Sequence, residues 1–280
     1  MARFKFAACE WSFPCWGDLA VRMAHEAGFD GMQLGDAGGP MNAYPLRDPE
    51  VQAHYLEAGE KYGIEFPQIH LYTLGHQGYY RKRLDSPEGQ VCLESIRQAV
   101  IAASEMKIPS VIIDGMRLND AAKKRHALEV AKCAVQVGEE YGIKIGMETD
   151  MTLEDHIRFL DALDGKLTLC FDLHNPVMYG TGYPPDMVRV LGKDRMEHFH
   201  IKESQPNADG FITVETPIVL MGRGGTFFKE SAQAVKDIGF SGWIVSENFY
   251  FRPNILADGY DYISAAKEDV KSLHAAYGTD

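Results

Sequence analysis

The chain is poor in the features that mark several specialised protein classes. Its five cysteines, Cys9, Cys15, Cys92, Cys133 and Cys170, are odd in number, scattered and without a C-x-x-C pair. That argues against a disulfide framework or a cysteine-rich zinc module and fits a reducing cytoplasm. Basic residues are few: 28 Lys and Arg stand against 40 Asp and Glu, for a net charge of −12 and a pI near 5.3. This balance opposes any partner bound mainly through phosphate neutralisation, so no nucleic acid is expected. No apolar run approaches the roughly 20 residues of a membrane span. The start, Met1 to Cys9, is too short and too polar for a signal-peptide core and reads as a first strand. The expectation is a soluble, cytoplasmic protein with no membrane partner.

No linker, low-complexity segment or charge run divides the chain, so one domain is expected over residues 1–280. What is there is an ordinary globular composition, 45% hydrophobic with 27 Gly and 13 Pro, enough for a large core. A junction recurs in which a helical pattern ends at Gly and a β-rich run begins at once. It is found at Gly28, Gly63, Gly142 and Gly239, where Gly in the left-handed conformation closes a helix. Between junctions lie amphipathic stretches, notably Pro87 to Met106 and Asn119 to Tyr141, with apolar residues at three- and four-residue spacing. Strands are predicted near 4–9, 29–34, 64–72, 109–114, 143–148, 167–172, 196–201 and 242–247.

Eight strands alternating with helices predict an α/β fold, a single (β/α)8 TIM barrel. An open doubly wound sheet shares the alternation, but no Gly-rich phosphate loop follows the first strand. Four of the predicted strands end in an acid or a histidine: Glu148, Asp172, His200 and Glu247, separated by 24, 28 and 47 residues. On successive barrel strands these residues converge at one mouth, where active sites of such barrels lie. Carboxylate oxygens with one imidazole suit a single divalent ion, with Mn²⁺ expected and Mg²⁺, Co²⁺ or Zn²⁺ as alternatives. Any one of the acids alone is more often a helix cap or a surface group; the four together point to a site.

Strand alternation places His198, His200 and Lys202 on one face of the seventh strand and Phe199 and Ile201 on the other. His200 lies nearer the mouth by about 7 Å of strand rise, so it is assigned to the metal and His198 to a buried supporting role. The irregular stretch from Ser204 to Gly225 is long enough to serve as a lid.

The motifs Met147-Glu148, Phe171-Asp172-Leu173-His174, His198-Phe199-His200-Ile201-Lys202 and Ser246-Glu247-Asn248 resemble those of the sugar phosphate isomerase/epimerase superfamily. These are the xylose isomerase-like TIM barrels, among them ketose 3-epimerases, hydroxypyruvate isomerase, inosose dehydratase and endonuclease IV-type DNA repair enzymes. Gly222-Arg223-Gly224-Gly225 adds support, and the resemblance runs from Phe4 to about His274. It implies that Glu148, Asp172, His200 and Glu247 bind one divalent ion and that the two glutamates also serve as acid and base. Two features depart from the epimerase branch: His174 stands two rather than three residues after Asp172, and Lys202 stands near where an arginine is usual. The His-x-Lys arrangement is similar to the inosose dehydratase branch.

The expected activity is therefore a metal-dependent isomerase or epimerase that abstracts a proton next to the carbonyl of a keto sugar or polyol, through an enediolate. The alternative is a lyase that loses a β substituent from the same carbanion, as in an inosose dehydratase or a C-glycoside-cleaving enzyme. Lys202 or His174 would then be the acid. A DNA repair enzyme is disfavoured by charge, and a non-catalytic sugar-binding barrel by the intact bases. His70 reads as an additional ligand, a contact to a substrate hydroxyl, or a packed histidine. Glu10, Trp11 and Trp16 read as a polar rim and apolar wall for a sugar ring, or as surface packing, and Arg223 as a substrate clamp or an exposed residue. The expected assembly is a homo-oligomer, or a pairing with a second subunit under the lyase reading.

Overall fold

A computed structural model describes residues 4–278. Eight parallel strands close into a barrel: β1 (Phe4–Cys9), β2 (Gly31–Gly35), β3 (Gln68–His70), β4 (Ser110–Gly115), β5 (Lys144–Thr149), β6 (Leu167–Asp172), β7 (Met196–Ile201) and β8 (Gly242–Ser246). Each pairs with its neighbours in sequence, and β1 pairs with β8 to complete the ring. One principal helix follows each strand: α1 (Asp18–Ala27), α2 (Pro49–Tyr62), α3 (Pro87–Met106), α4 (Ala121–Tyr141), α5 (Leu153–Asp161), α6 (Pro184–Leu191), α7 (Phe228–Asp237) and α8 (Tyr262–Tyr277). The (β/α)8 barrel expected from the alternation is thus the fold.

Local chemistry sets the element ends. Gly28, Gly63, Gly142 and Gly239 take φ of 97°, 68°, 69° and 67°, the left-handed values that let a helix stop and the chain turn into the next strand. Helix α4 starts two residues later than expected because Asp120 caps it, accepting the Lys123 N–H at 2.8 Å. The third strand is shorter than the predicted 64–72. Pro67 has no N–H to give a ladder, so the pairing before it shrinks to a single bridge between Gly31 and Glu65.

The two faces of each strand meet different surroundings. On β7, Phe199 and Ile201 are buried against the helical layer, with the Phe199 ring 5.0 Å from that of Phe240. Burying side chains of this size stabilises the fold by roughly 2–3 kcal/mol each. His198 and His200 point the other way, into the barrel, and both are fully buried. The Trp243 ring packs inside against Gly31, where a Cβ would come within 2.7 Å of it. Between β6 and β7 the register shifts at Leu169/Cys170. The shift sets Asp172 directly beside His200, and Glu148 pairs in register with Cys170 one strand earlier.

Candidate metal centre

Glu148, Asp172 and His200 rise from β5, β6 and β7, and Glu247 follows the last residue of β8, its N–H donating to Ile201 O at 2.8 Å. All four are buried. One potential ligand atom from each lies within 4.8 Å of those from the other three. His200 Nδ1 is 3.4 Å from Glu148 Oε2 and 3.5 Å from Glu247 Oε2.

The tautomer of His200 follows from a residue on β2. The Gln33 side-chain oxygen, which only accepts, lies 2.7 Å from His200 Nε2, so Nε2 carries a hydrogen and Nδ1 is the nitrogen free to bind a metal once its own proton leaves. Burial opposes that proton, but Cys170, Cys9 and Glu148 hold His200 well above its ordinary value. The Gln33 amide nitrogen donates to His198 Nε2 at 3.0 Å, which puts the His198 proton on Nδ1. His200 Nδ1 is buried and makes no hydrogen bond within the described residues, while it faces two carboxylates. An unpartnered buried imidazole nitrogen beside three carboxylates is a donor set that fits a hard or borderline divalent ion, which would take the place of the imidazole proton.

The neighbours fix the ligands' orientation. Asn175 Nδ2 donates to Glu148 Oε1 at 2.7 Å, and the backbone N–H groups of His174 and Asn175 donate to Asp172 Oδ1 at 2.6 and 3.0 Å. The Trp11 indole N–H donates to Glu247 Oε1 at 3.0 Å. Lys202 Nζ lies 2.5 Å from both Asp172 Oδ2 and Glu247 Oε2. Burial alone would raise the Glu247 carboxyl, but the Lys202 ammonium and His200 outweigh it and hold it well below the usual carboxylate range. Burial would likewise lower Lys202, yet Asp172 and Glu247 hold it well above the ordinary lysine value.

Three histidines around this ring are kept neutral. Burial pushes His70 down to about 4 against the pull of Glu148, and burial with the Lys202 charge pushes His174 down to about 3. Burial and then His200 hold His198 well below its ordinary value. His70 stacks on His200 with centroids 5.8 Å apart and brings Nε2 to 3.9 Å from Glu148 Oε2. His174 Nε2 is 2.9 Å from Ser204 Oγ, and its Nδ1 has no hydrogen-bond partner within the described residues.

The remaining expected contacts lie elsewhere. Glu10 is fully buried and accepts from Gly17 N, Gly35 N and Tyr55 OH at 3.0, 3.1 and 2.6 Å. It clamps the first loop instead of forming a polar rim. Trp16 is 47% exposed; its ring lies over Gly35 at the end of β2, where a Cβ would come within 2.8 Å of it and 3.6 Å of Trp11, and it borders a groove of about 600 Å³ with Val51, His54 and Tyr55 of α2. Trp11 is the tryptophan that enters the ring, stacked on Tyr72 at 5.1 Å. Arg223 is exposed and bound to Tyr260 OH at 2.8 Å. The stretch expected as a lid is stapled at its base: Glu203 and Ser204 pair with Val219 and Ile218, and Glu203 accepts the Gly222 and Gly224 N–H groups at 2.6 and 3.0 Å.

Sequence reasoning passed over Gln33, Asn175 and Asp114. The first two are neutral amides whose roles appear only once the strands are adjacent. Asp114 carried the same mark as the four ligands, an acid closing a strand.

A family model described as xylose isomerase-like TIM barrel matches residues 21–273. A 2-epi-5-epi-valiolone 7-phosphate 2-epimerase from Actinoplanes sp. is 23% identical over 220 residues, 77% of each chain. Among solved structures, the IOLI protein with a bound zinc atom superposes with a TM-score of 0.78 at 16% identity, over 98% of both chains. The D-allulose 3-epimerase from Methylomonas sp. in complex with D-allulose superposes with a TM-score of 0.73 at 17% identity, over 99% of this chain and 98% of that one. No described helix is long and apolar enough to cross a membrane.

Proposed function

The chain belongs to the xylose isomerase-like TIM barrel family, and we propose that within it the protein is a divalent-metal-dependent sugar isomerase or epimerase. It abstracts the proton next to the carbonyl of a keto sugar or polyol. The observation that carries this reading is His200 Nδ1, buried without a hydrogen-bond partner in the described residues and facing the Glu148 and Glu247 carboxylates. Held by Glu148, Asp172, His200 and Glu247, a divalent ion, with Mn²⁺ expected ahead of Mg²⁺, Co²⁺ or Zn²⁺, would supply Lewis-acid polarisation of the carbonyl and charge to balance the enediolate.

The chain's own groups then divide the work. Asn175 holds one oxygen of Glu148, which fixes the orientation of the carboxylate proposed to take the proton. Across the ring, Glu247 would pass a proton taken from the Lys202 ammonium it touches to the opposite face, to give the inverted carbon and leave Lys202 neutral until it is reprotonated. Gln33 fixes the His200 tautomer, and Trp11 presents an aromatic wall to the substrate while it orients Glu247. His70 stands at the edge of the ring for a substrate hydroxyl. Self-association is expected for this barrel, in a cytoplasmic setting.

A lyase is the second reading, and one observation favours it. Both oxygens of Glu247 are engaged, Oε1 by Trp11 and Oε2 by Lys202, and Lys202 with His200 holds its carboxyl well below the usual range, which makes it a poor second acid or base. Departure of a β substituent, helped by Lys202 or by His174 as acid, needs only the first base. A second subunit would then complete the pocket. Keto sugars incubated with metal-loaded protein in D₂O and followed by NMR separate the readings: deuterium at an inverted carbon supports the epimerase, and loss of a substituent supports the lyase. Absence of exchange across a broad panel overturns both.

A further inference from the structure

A fifth acid stands in the mouth outside the four-ligand ring. Asp114 is on β4, in register with Glu148 on β5. Its strand alternates cleanly: Val111 and Ile113 belong to the shell under the helices, whereas Ile112 points inward, since a Cβ on Gly146 would come within 2.6 Å of its side chain. Asp114 shares the inward face with Ile112. No Lys or Arg of the described residues forms an ion pair with it. Its Oδ1 accepts the Met116 N–H at 2.9 Å, and its Oδ2 rests against Gly75 in the short helix Tyr72–Gln77. A Cβ at Gly75 would lie 1.7 Å from Oδ2.

Gly75 is not in the left-handed region, so its backbone alone would accept alanine. What requires glycine there is the space taken by the carboxylate. One side of the mouth thus has a carboxylate with one oxygen anchored to the backbone and the other left for a donor that the described residues do not supply.

We propose that Asp114 is a substrate-binding residue of this site, whose Oδ2 receives a hydroxyl of a polyhydroxylated substrate on the β3–β4 side of the mouth. The assignment rests on the sugar-isomerase reading above and narrows its substrate class. Burial and then the Glu148 charge raise the Asp114 carboxyl to about 8, so near neutrality it exchanges a hydrogen bond with a hydroxyl as donor or acceptor.

The test is calorimetric binding of xylitol, sorbitol, myo-inositol and sorbitol 6-phosphate to the Mn²⁺-loaded full chain, with Asp114→Ala and Gly75→Ala as variants. Losing this hydrogen bond should weaken the best-binding polyol by about two- to tenfold in Asp114→Ala, with metal content unchanged. Gly75→Ala keeps every polar group and favours the helix, yet it should show the same loss because the new methyl displaces the carboxylate. Its melting temperature confirms that it is folded should Asp114→Ala prove unstable. Failure of the wild type to bind any of the polyols overturns the proposal. So does unchanged polyol affinity in either folded variant, tighter binding of the phosphate through Asp114, or loss of a second Mn²⁺ in Asp114→Ala. Polyol binding that depends on Asp114 without any deuterium exchange in D₂O would instead sink the isomerase reading and leave this assignment standing.

Discussion

Lys202 and Glu203 are adjacent in the chain, yet they serve two buried polar clusters built on opposite terms. Lys202 reaches into the ring, where one ammonium is shared between Asp172 and Glu247 and His200 Nδ1 is without a hydrogen-bond partner in the described residues. Glu203 turns outward to the loop that follows. Its Oε2 accepts Gly222 N and Gly224 N, and its Oε1 accepts Thr226 N and the Thr226 hydroxyl. Next to it Asn248 accepts the Glu203 N–H at 3.0 Å and donates to Asp269 at 2.6 Å. The Glu203 carboxylate is saturated by uncharged donors, whereas in the ring two carboxylates share one ammonium and the imidazole nitrogen between Glu148 and Glu247 has no hydrogen-bond partner in the described residues. Saturation by neutral donors marks a group that holds the fold, and an unpartnered nitrogen among carboxylates marks a site waiting for a ligand.

The comparison yields predictions in which chemistry and stability separate. Glu148→Gln should cut solvent-deuterium exchange by about 10²–10⁴-fold while the melting temperature stays level or rises, because it relieves crowding among buried carboxylates. Turnover equal to wild type would remove Glu148 as the base. Glu203→Ala should do the reverse. It strands several buried N–H groups and should cost about 3 kcal/mol of unfolding free energy in urea titration. Metal stoichiometry should be unchanged in the folded fraction, and a stability loss near zero would break the contrast.

Gln33→Leu should weaken divalent-ion affinity by about 10–100-fold, the usual consequence of losing the partner that orients a ligating histidine. A chelator competition titration reads this directly, and unchanged affinity would mean that the tautomer is set some other way. The smallest effect is thermodynamic. Divalent ion at about 100 times its dissociation constant should add about 2.7 kcal/mol to wild-type stability, and the increment should vanish in Asp172→Asn but persist in a folded variant of Asp269. Equal increments in both would erase the distinction between the two clusters.

The barrel and the ring were legible for a physical reason: both depend on strand periodicity and on residue types with few other uses. Acids at 148, 172 and 247 and a histidine at 200 each close a β-rich run, and closed-barrel geometry does the rest. The third strand was overextended because its apolar pattern continues through Pro67, whose missing N–H interrupts the ladder. Gln33 had no signal, since a neutral amide in a strand reads as any polar residue until β2 lies across the barrel from β7. Trp16 and Trp11 look alike in sequence and both reach Gly35 at the end of β2, but the turn Glu10–Ser12 buries Trp11 against the ring while Trp16 stays half exposed. Glu10 looked available for a sugar because nothing in the sequence places Gly17, Gly35 and Tyr55 around it.

The central claim is that Glu148, Asp172, His200 and Glu247 together hold one divalent ion. Its most direct measurement is the metal content and Mn²⁺ titration of purified wild type beside His200→Ala, both checked for folding by circular dichroism. The account predicts one tightly bound ion per wild-type chain and its loss, or a weakening of at least about a hundredfold, in the folded variant. One ion bound with equal affinity by both proteins, or none bound by the wild type, would contradict it.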